Sequence, residues 1–347
     1  MVMIMTVIRL LGRLFAAVAI AAALLFLGFL SLSGPYAEPQ ETAPEPPPPP
    51  PPLSELLPGG IREDSEMTLS LLNGDEIEEI SMEYYLIGVV AAEMPAGFPL
   101  ESLKAQAIAA RTMVMYNIIV EPKSRHPGIN ICSDYSCCMA YRGDDELREA
   151  WAGDYVDSIV RIIDAVVDTD GVYMLYRGEP ILAVFHSSSA GKTESSANVW
   201  VTGLPYLVSV NTPESSASVP DFITVVPVLY SAYADTITGA YPDAVFKDDE
   251  SAPITEITRT VSGRILEIQT GGVTIRGTEL RSMFGLRSTA INIEFRDGDV
   301  VFTVSGYGHG VGMSQYGAAD MARDGIGHRD ILRAYYRGVV FSDTPRS

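Results

Sequence analysis

The chain has 347 residues, 47% of them hydrophobic, which is enough apolar side chain to bury a substantial core and excludes a disordered polymer. Its formal net charge is -20 and its pI is near 4.5. No basic surface of the kind that phosphate binding requires is evident, which argues against nucleic acid as a partner.

Arg9 and Arg13 precede an uncharged apolar run over residues 14–32. That run is just long enough to cross a hydrocarbon layer of about 30 Å as a helix. The basic residues before it predict a cytoplasmic N-terminus, with everything after the span outside. A cleaved signal peptide is the alternative, but its apolar core would be shorter, and no small-x-small site directly follows the run. From Gly34 the chain is rich in Pro and Glu, and the unbroken proline run over 46–52 favours a stiff polyproline II spacer. The chain therefore divides into a cytoplasmic tip and transmembrane anchor (1–33), a Pro-rich linker (34–60) and an extracytoplasmic domain (61–347).

Within that domain, residues 67–78 alternate weakly around Asn73-Gly74, the mark of an edge hairpin. Residues 82–92 carry Leu86, Val89 and Val90 at helical spacing, with Ser81 as N-cap and Pro95 as stop, so Glu93 falls in the last turn. Residues 100–119 lack Gly and Pro and are rich in Ala, Leu and Met, which predicts a helix entered at Pro99. A loop over 121–143 precedes a third helix over 145–160. Residues 172–176 and 181–185 are apolar runs split by Arg177-Gly-Glu-Pro180, a hairpin whose second strand ends at His186 and Ser187. Residues 211–249 read only as short strands and turns. Two more hairpin groups follow, one within 255–274 and one pairing 291–294 with 300–305 around Asp297-Gly298. Helices over 314–323 and 329–337 close the chain, the last ended by Gly338. Hairpins with helices segregated around them, and no regular βαβ alternation, predict an α+β fold: a single mixed globular domain with antiparallel β-hairpins.

Several side chains suggest chemistry. Glu93 sits against the negative end of its helix and beside Met94 and Phe98, and both settings raise its pKa, as a general acid requires. Lys104 and Arg111 are seven residues apart and share one helix face, which places two cations in the neighbourhood of one acid. The alternative is three ordinary surface charges. Ser187 to Ser189 could be turn chemistry at a strand end. A Ser-His-Asp triad would use His186 and Ser188, but no Gly-x-Ser-x-Gly elbow surrounds the serine. Tyr307 and His309 lie among glycines at 306, 308, 310 and 312, which allow close approach of a ligand to the backbone, and an aromatic ring there can stack on a sugar. A phosphate loop would also be glycine-rich, but no Lys-Ser/Thr ending follows. In an exported chain Cys132, Cys137 and Cys138 lead first to a disulfide with one thiol left over. His328 reads as a capping or surface residue.

Four blocks carry a resemblance to a known family. They are Glu93-Met-Pro followed by Glu101-Ser-Leu-Lys-Ala-Gln-Ala-Ile-Ala-Ala-Arg-Thr112; residues 132–143; His186-Ser-Ser-Ser-Ala-Gly-Lys-Thr-Glu194; and Gly306-Tyr-Gly-His-Gly-Val-Gly-Met-Ser-Gln-Tyr-Gly317. In this order they resemble the stage II sporulation protein D family, the membrane-bound lytic transglycosylases of spore formers. The resemblance implies cleavage of the MurNAc-GlcNAc backbone of peptidoglycan to 1,6-anhydromuramoyl ends, in septal wall remodelling and forespore engulfment. It gives Glu93 the role of catalytic acid, with Lys104 and Arg111 orienting it or the substrate. His186, Ser187, Ser188, Ser189, Thr193, Tyr307, His309 and Gln315 become substrate-binding candidates, with Ala190 where a second glycine is common. His126, Cys132 and Cys138, spaced His-x5-Cys-x5-Cys, resemble the zinc-binding variant of the family and imply a structural zinc. Cys138-Met-Ala-Tyr141 departs from the common Cys-Gln-x-Tyr, and Cys137 could replace Cys138. A disulfide from Cys132 to either remains the rival. The implied partners are peptidoglycan glycan strands, the membrane through the N-terminal helix, and the sporulation amidase stage II sporulation protein P. The alternative function is a non-catalytic peptidoglycan-binding module that enhances a wall amidase.

Overall fold

The computed structural model describes residues 49–121, 126–200, 202–246 and 253–343; the predicted anchor and most of the linker lie outside these residues. Among the described residues no helix is long and apolar enough to cross a membrane. The first hairpin forms as β1 (Thr68–Asn73) and β2 (Glu76–Ser81), turned by Gly74 at a φ of 61°. Of the two hairpin strands only β2 is an edge, because β1 also pairs in parallel with the short β3 (Ile131–Cys132). This second pairing ties the start of the domain to the cysteine segment.

Ser81 then caps α1 (Met82–Glu93), its side chain accepting from the Tyr84 N–H, and Pro99 introduces α2 (Leu100–Ile119). Burial runs around both helices instead of along one stripe, the pattern of helices at the middle of a core. The predicted third helix is two: α3 (Asp144–Trp151) and α4 (Tyr155–Val167), separated by a 3-10 turn in which Ala152 has a φ of 44°. In α4, Tyr155, Ile159, Ile162, Ile163 and Val166 form the buried stripe, which carries the helix seven residues past the predicted end. The next hairpin, β4 (Met174–Tyr176) and β5 (Glu179–Pro180), turns at Arg177 and Gly178. Of the predicted strand over 181–185, only the end is regular strand, as β6 (Phe185–His186), although Ile181 N–H still donates to the Met174 carbonyl at 3.3 Å.

Residues 223–305 build a second apolar cluster around Tyr233, Ile268, Ile275 and Phe302. Its elements are β7 (Ile223–Leu229), α5 (Tyr230–Ala240), β8 (Ile254–Arg259), β9 (Ile265–Thr270), β10 (Val273–Arg276), α6 (Gly277–Met283), β11 (Ile291–Arg296) and β12 (Asp299–Ser305). They make two antiparallel three-stranded sheets, in the orders β10-β9-β8 and β11-β12-β7. The chain then returns to the first core through β13 (Met313–Ser314), α7 (Gln315–Arg323), α8 (His328–Tyr335) and β14 (Val340–Phe341). β13 pairs in parallel with β6, and β14 pairs with β4. The β6–β13 pairing, extended by bridges from Ser188 to Tyr307 and from Glu194 to Val311, brings two distant sequence blocks side by side. The fold is thus a mixture of α and β elements in several small sheets. Most of its long helices lie in the first core and its larger sheets in the inserted lobe.

Candidate active site

Glu93 is the last residue of α1, where the extended Met94 redirects the chain toward Pro95. Its Oε1 accepts from the Ala140 N–H at 2.9 Å, and its Oε2 accepts from the Gln315 amide at 3.3 Å. Burial pushes the Glu93 carboxyl above the usual glutamate range, and these two donors pull the other way without cancelling the effect. The carboxyl opens into a cavity of about 650 Å³, walled also by Met139, His186, Trp200, Tyr307 and His309. Among the described residues, Glu93 is the sole carboxylate on that wall and Arg281 the sole Lys or Arg.

The opposite wall is built by the glycine loop. Gly306, Gly308, Gly310 and Gly312 all have positive φ. A Cβ at Gly308 would lie 2.8 Å from that of His186, and one at Gly312 would lie 2.0 Å from the Val184 carbonyl oxygen. Both the backbone angles and the close approach of the two strands therefore require glycine there. His186 Nδ1 lies 3.1 Å from the Val311 carbonyl, which can only accept, so Nδ1 carries the proton and Nε2 accepts from the Ser189 hydroxyl at 2.5 Å. His309 Nδ1 accepts from the Val311 N–H at 3.0 Å, and its ring is also hydrogen-bonded to the Phe185 backbone. Burial, reinforced by the Arg281 and Arg264 guanidiniums, pulls His309 down to about 4, and burial together with His309 drives His186 well below the usual histidine range. Both rings are neutral at pH 7 with their nitrogens occupied. They serve as aromatic wall, in line with Trp200, at centroid separations of 5.7 Å (His186 to His309) and 5.6 Å (His309 to Trp200).

Not every predicted site residue reaches this cavity. His186, Ser187, Tyr307, His309 and Gln315 line it with Glu93, whereas Ser188, Ser189 and Thr193 are buried behind it. Thr193 accepts from the Val210 N–H, and Ser189 N–H donates to the buried Glu214, which also accepts from Ser314. A Ser-His-Asp triad fails on the same geometry, because the third position is a backbone carbonyl. Lys104 and Arg111 require correction as well. Lys104 pairs with Asp168 at 2.9 Å and Glu101 at 3.3 Å, and Arg111 is buried in a fork with Asp64, Val166 and Val172. Their shared face of α2 points to α4 and the strand after it, and neither lines the cavity. Sequence reasoning missed Trp200 and Arg281, which neither the motif blocks nor any local period marks, and Glu194. That buried carboxylate accepts from Thr260 and Ser262 and so ties the inserted lobe to the His186 block.

In the segment that leads to Ala140, His126, Cys132 and Cys137 each offer one ligand atom, all within 4.8 Å of one another. Even spacing points to Cys138, and the fold brings Cys137 there instead. The turn after Asp134, whose carbonyl accepts from both Cys137 and Cys138 N–H, sets Cys137 Sγ 3.8 Å from His126 Nε2. It turns Cys138 Sγ back to accept from the Cys132 N–H at 3.4 Å. One imidazole and two thiols are a donor set that suits zinc. His328 does not cap its helix: it is the first residue of α8, after Gly327, and its N–H and ring both bond Glu101, at 2.8 and 2.7 Å, so the carboxylate satisfies the helix end.

A family model described as "Stage II sporulation protein" matches residues 73–176, the stretch from β1 through β4 that holds Glu93 and the cysteine turn. Stage II sporulation protein D of Bacillus amyloliquefaciens is 35% identical over 271 residues, 77% of this chain and 76% of that protein. The protein of the same name from Bacillus subtilis is 35% identical over 269 residues, again 77% and 76%. A Bacillus subtilis protein named Amidase enhancer is 28% identical over 304 residues, 74% of this chain but 40% of that protein. With identity at this level over three quarters of both partners, the chain belongs to the stage II sporulation protein D family of sporulation proteins.

Proposed function

We propose that the protein is a membrane-anchored peptidoglycan lytic transglycosylase that cleaves the MurNAc-GlcNAc backbone to 1,6-anhydromuramoyl ends during septal wall remodelling and engulfment. The supporting observation is a cavity walled by aromatic and neutral imidazole rings with one desolvated carboxyl and, among the described residues, no second acid on the wall. Glycosidases that use water or a covalent intermediate set a second carboxylate about 5–9.5 Å from the first. A transglycosylase has no such need. Protonated Glu93 gives its proton to the glycosidic oxygen, and the carboxylate left behind is stabilised by the Ala140 and Gln315 donors. It then takes the proton of the muramoyl 6-hydroxyl as that oxygen closes on the anomeric carbon. His186, His309, Trp200 and Tyr307 hold the rings and exclude water. Incubating purified glycan strands with the full chain in mild detergent tests the reading: soluble fragments are expected, and a protein that only binds releases none.

One relative bears the name Amidase enhancer, which favours a second reading, a wall-binding module that acts through an amidase such as stage II sporulation protein P. A binding module has no use for an acid with a raised pKa, and the pH dependence separates the two. Because the protonated form is the active one and burial raises the pKa of Glu93, cleavage is expected to fall as pH rises through a midpoint above the usual glutamate value. A midpoint at or below that value, in a folded protein, contradicts the assignment.

A structural zinc held by His126, Cys132 and Cys137 belongs to the same reading. Bound there, zinc supplies folding energy and no chemistry. Those residues fix the turn that leads to Ala140, and so they fix the donor on Glu93. Cys137→Ser is expected to lose the metal and to lower the thermal midpoint by several degrees, while Cys138→Ser retains both, as read by elemental analysis and melting. Protein purified without reductant that holds no metal and shows one titratable thiol is disulfide-bonded instead.

A further inference from the structure

The inserted lobe contributes two guanidiniums to the back of the cavity, and they are placed differently. Arg264 is fully buried against Gly310, and the carboxylates of Glu194 and Glu214 act on its charge from behind. Arg281 lies on the cavity wall. It projects from α6, whose first residue, Gly277, presses so close to β9 that a Cβ there would meet the Ile265 carbonyl oxygen at 2.1 Å. The side chain is anchored at one point, with Nε donating to the Leu286 carbonyl at 3.1 Å. Its two terminal nitrogens have no hydrogen-bond partner among the described residues. No carboxylate is among the groups that act on its charge, and burial disfavours that charge.

A half-buried guanidinium anchored through Nε and free at its fork is built for a carboxylate, which takes the two terminal N–H groups side by side. In the proposed substrate, N-acetylglucosamine offers no ionised group. The muramoyl residue does, because its lactyl arm ends in a carboxyl that is either free or the start of a stem peptide carrying carboxylates of its own. A chain of net charge -20 repels such a strand at long range, so a local cation has to hold it.

Resting on the transglycosylase reading, we propose that Arg281 is the specificity-determining residue of the cleft. Its terminal nitrogens bind a carboxylate of the muramoyl arm and so set which sugar lies over Glu93. Tyr307 is stiffened for the same contact by the Arg287 guanidinium, 4.5 Å from its ring centroid.

The test is a binding measurement. The full chain carrying Glu93→Gln, in mild detergent, is titrated calorimetrically with three tetrasaccharides: neutral oligo-N-acetylglucosamine, a muramoyl glycan with free lactyl carboxylates, and the same glycan bearing stem peptides. At least one acidic glycan is expected to bind roughly tenfold or more tighter than the neutral one, the margin of a charge-assisted hydrogen-bond pair. Arg281→Gln is expected to remove that margin and leave neutral binding in place, and Arg281→Lys to restore part of it. The tighter of the two acidic glycans identifies the source as the lactyl group or the peptide. Equal binding of neutral and acidic glycans, or a preference that survives Arg281→Gln, overturns the proposal. If Arg281→Gln does not fold, the lysine variant decides, since full retention of the margin without a fork overturns the bidentate contact. Turnover by the Glu93 form to anhydro ends is scored separately, so a failure of the transglycosylase reading is not confused with a failure of this one.

Discussion

Glu93→Gln is expected to lower glycan cleavage by about 10²–10⁴-fold, the usual worth of a general acid, while the protein keeps its fold and its affinity for glycan. The amide is nearly isosteric, and its oxygen can still accept from the Ala140 N–H. What it lacks is a proton to give. The linkage has a definite sign. Because the folded pKa of Glu93 is raised above its unfolded value, the folded state holds that proton more tightly, and the resulting stability is present below the unfolded pKa and lost as pH rises through the folded one. At neutral pH an ionised Glu93 therefore costs the fold something that glutamine does not. The variant should melt at or above the wild-type temperature at pH 7, with the difference shrinking or reversing in acid. Near wild-type cleavage by a folded Glu93→Gln chain removes Glu93 from the mechanism.

Asp64→Ala is expected to destabilise the fold by about 3–5 kcal/mol, because it strands a buried charge. Arg111 is 1% exposed, and its Nε donates to both Asp64 oxygens at 3.0 and 2.8 Å, while its terminal nitrogens reach the Val172 and Val166 carbonyls at 3.0 and 3.3 Å. Removing the carboxylate leaves a guanidinium buried between α2 and α4 with two backbone carbonyls and the Thr169 hydroxyl, all neutral, for company. Replacing both partners, as in Asp64→Ala with Arg111→Met, should cost less than Asp64→Ala alone, because no charge is then left unpaired. Urea unfolding of the wild type, the single variant and the double variant reads this directly. A loss under about 1 kcal/mol for Asp64→Ala contradicts a structural role, as does a change in the pH profile of cleavage in either variant that stays folded.

That pair also shows what the sequence could and could not convey. The helix carrying Arg111 was legible to its ends, since Pro99, the absence of Gly and Pro and the Ala-rich run are all local signals. The direction its cations face was not. An Ala-rich helix buried all round has no solvent side to orient it, and the partner of Arg111 lies 47 residues upstream in a short turn without a motif. Glu93 was legible because one local feature, a helix ending at a proline, fixes its place, and its motif stands in the matched region. Even spacing pointed to Cys138, with Cys137 as its possible replacement, and only the turn at Asp134, which spacing does not show, brings the Cys137 thiol to His126. α5 lies in the stretch 211–249 that read only as short strands and turns, where the β-branched Thr236, Ile237 and Thr238 disfavour helix, although Tyr230, Tyr233 and Ile237 recur at helical spacing on its buried side. Trp200 and Arg281 come from a short turn and from the inserted lobe, and only the tertiary fold brings them to the cavity.

In the proposed reaction one carboxyl and no water carry out the cleavage. The measurement that tests it is mass spectrometry of muramoyl ends released by the full chain from purified glycan in heavy-oxygen water. Ends that lack one water and carry no heavy oxygen, formed by the wild type and not by Glu93→Gln, are the expected result. Reducing ends that carry one heavy oxygen per cleavage, made at the Glu93-dependent rate, would instead show a hydrolase and contradict the account.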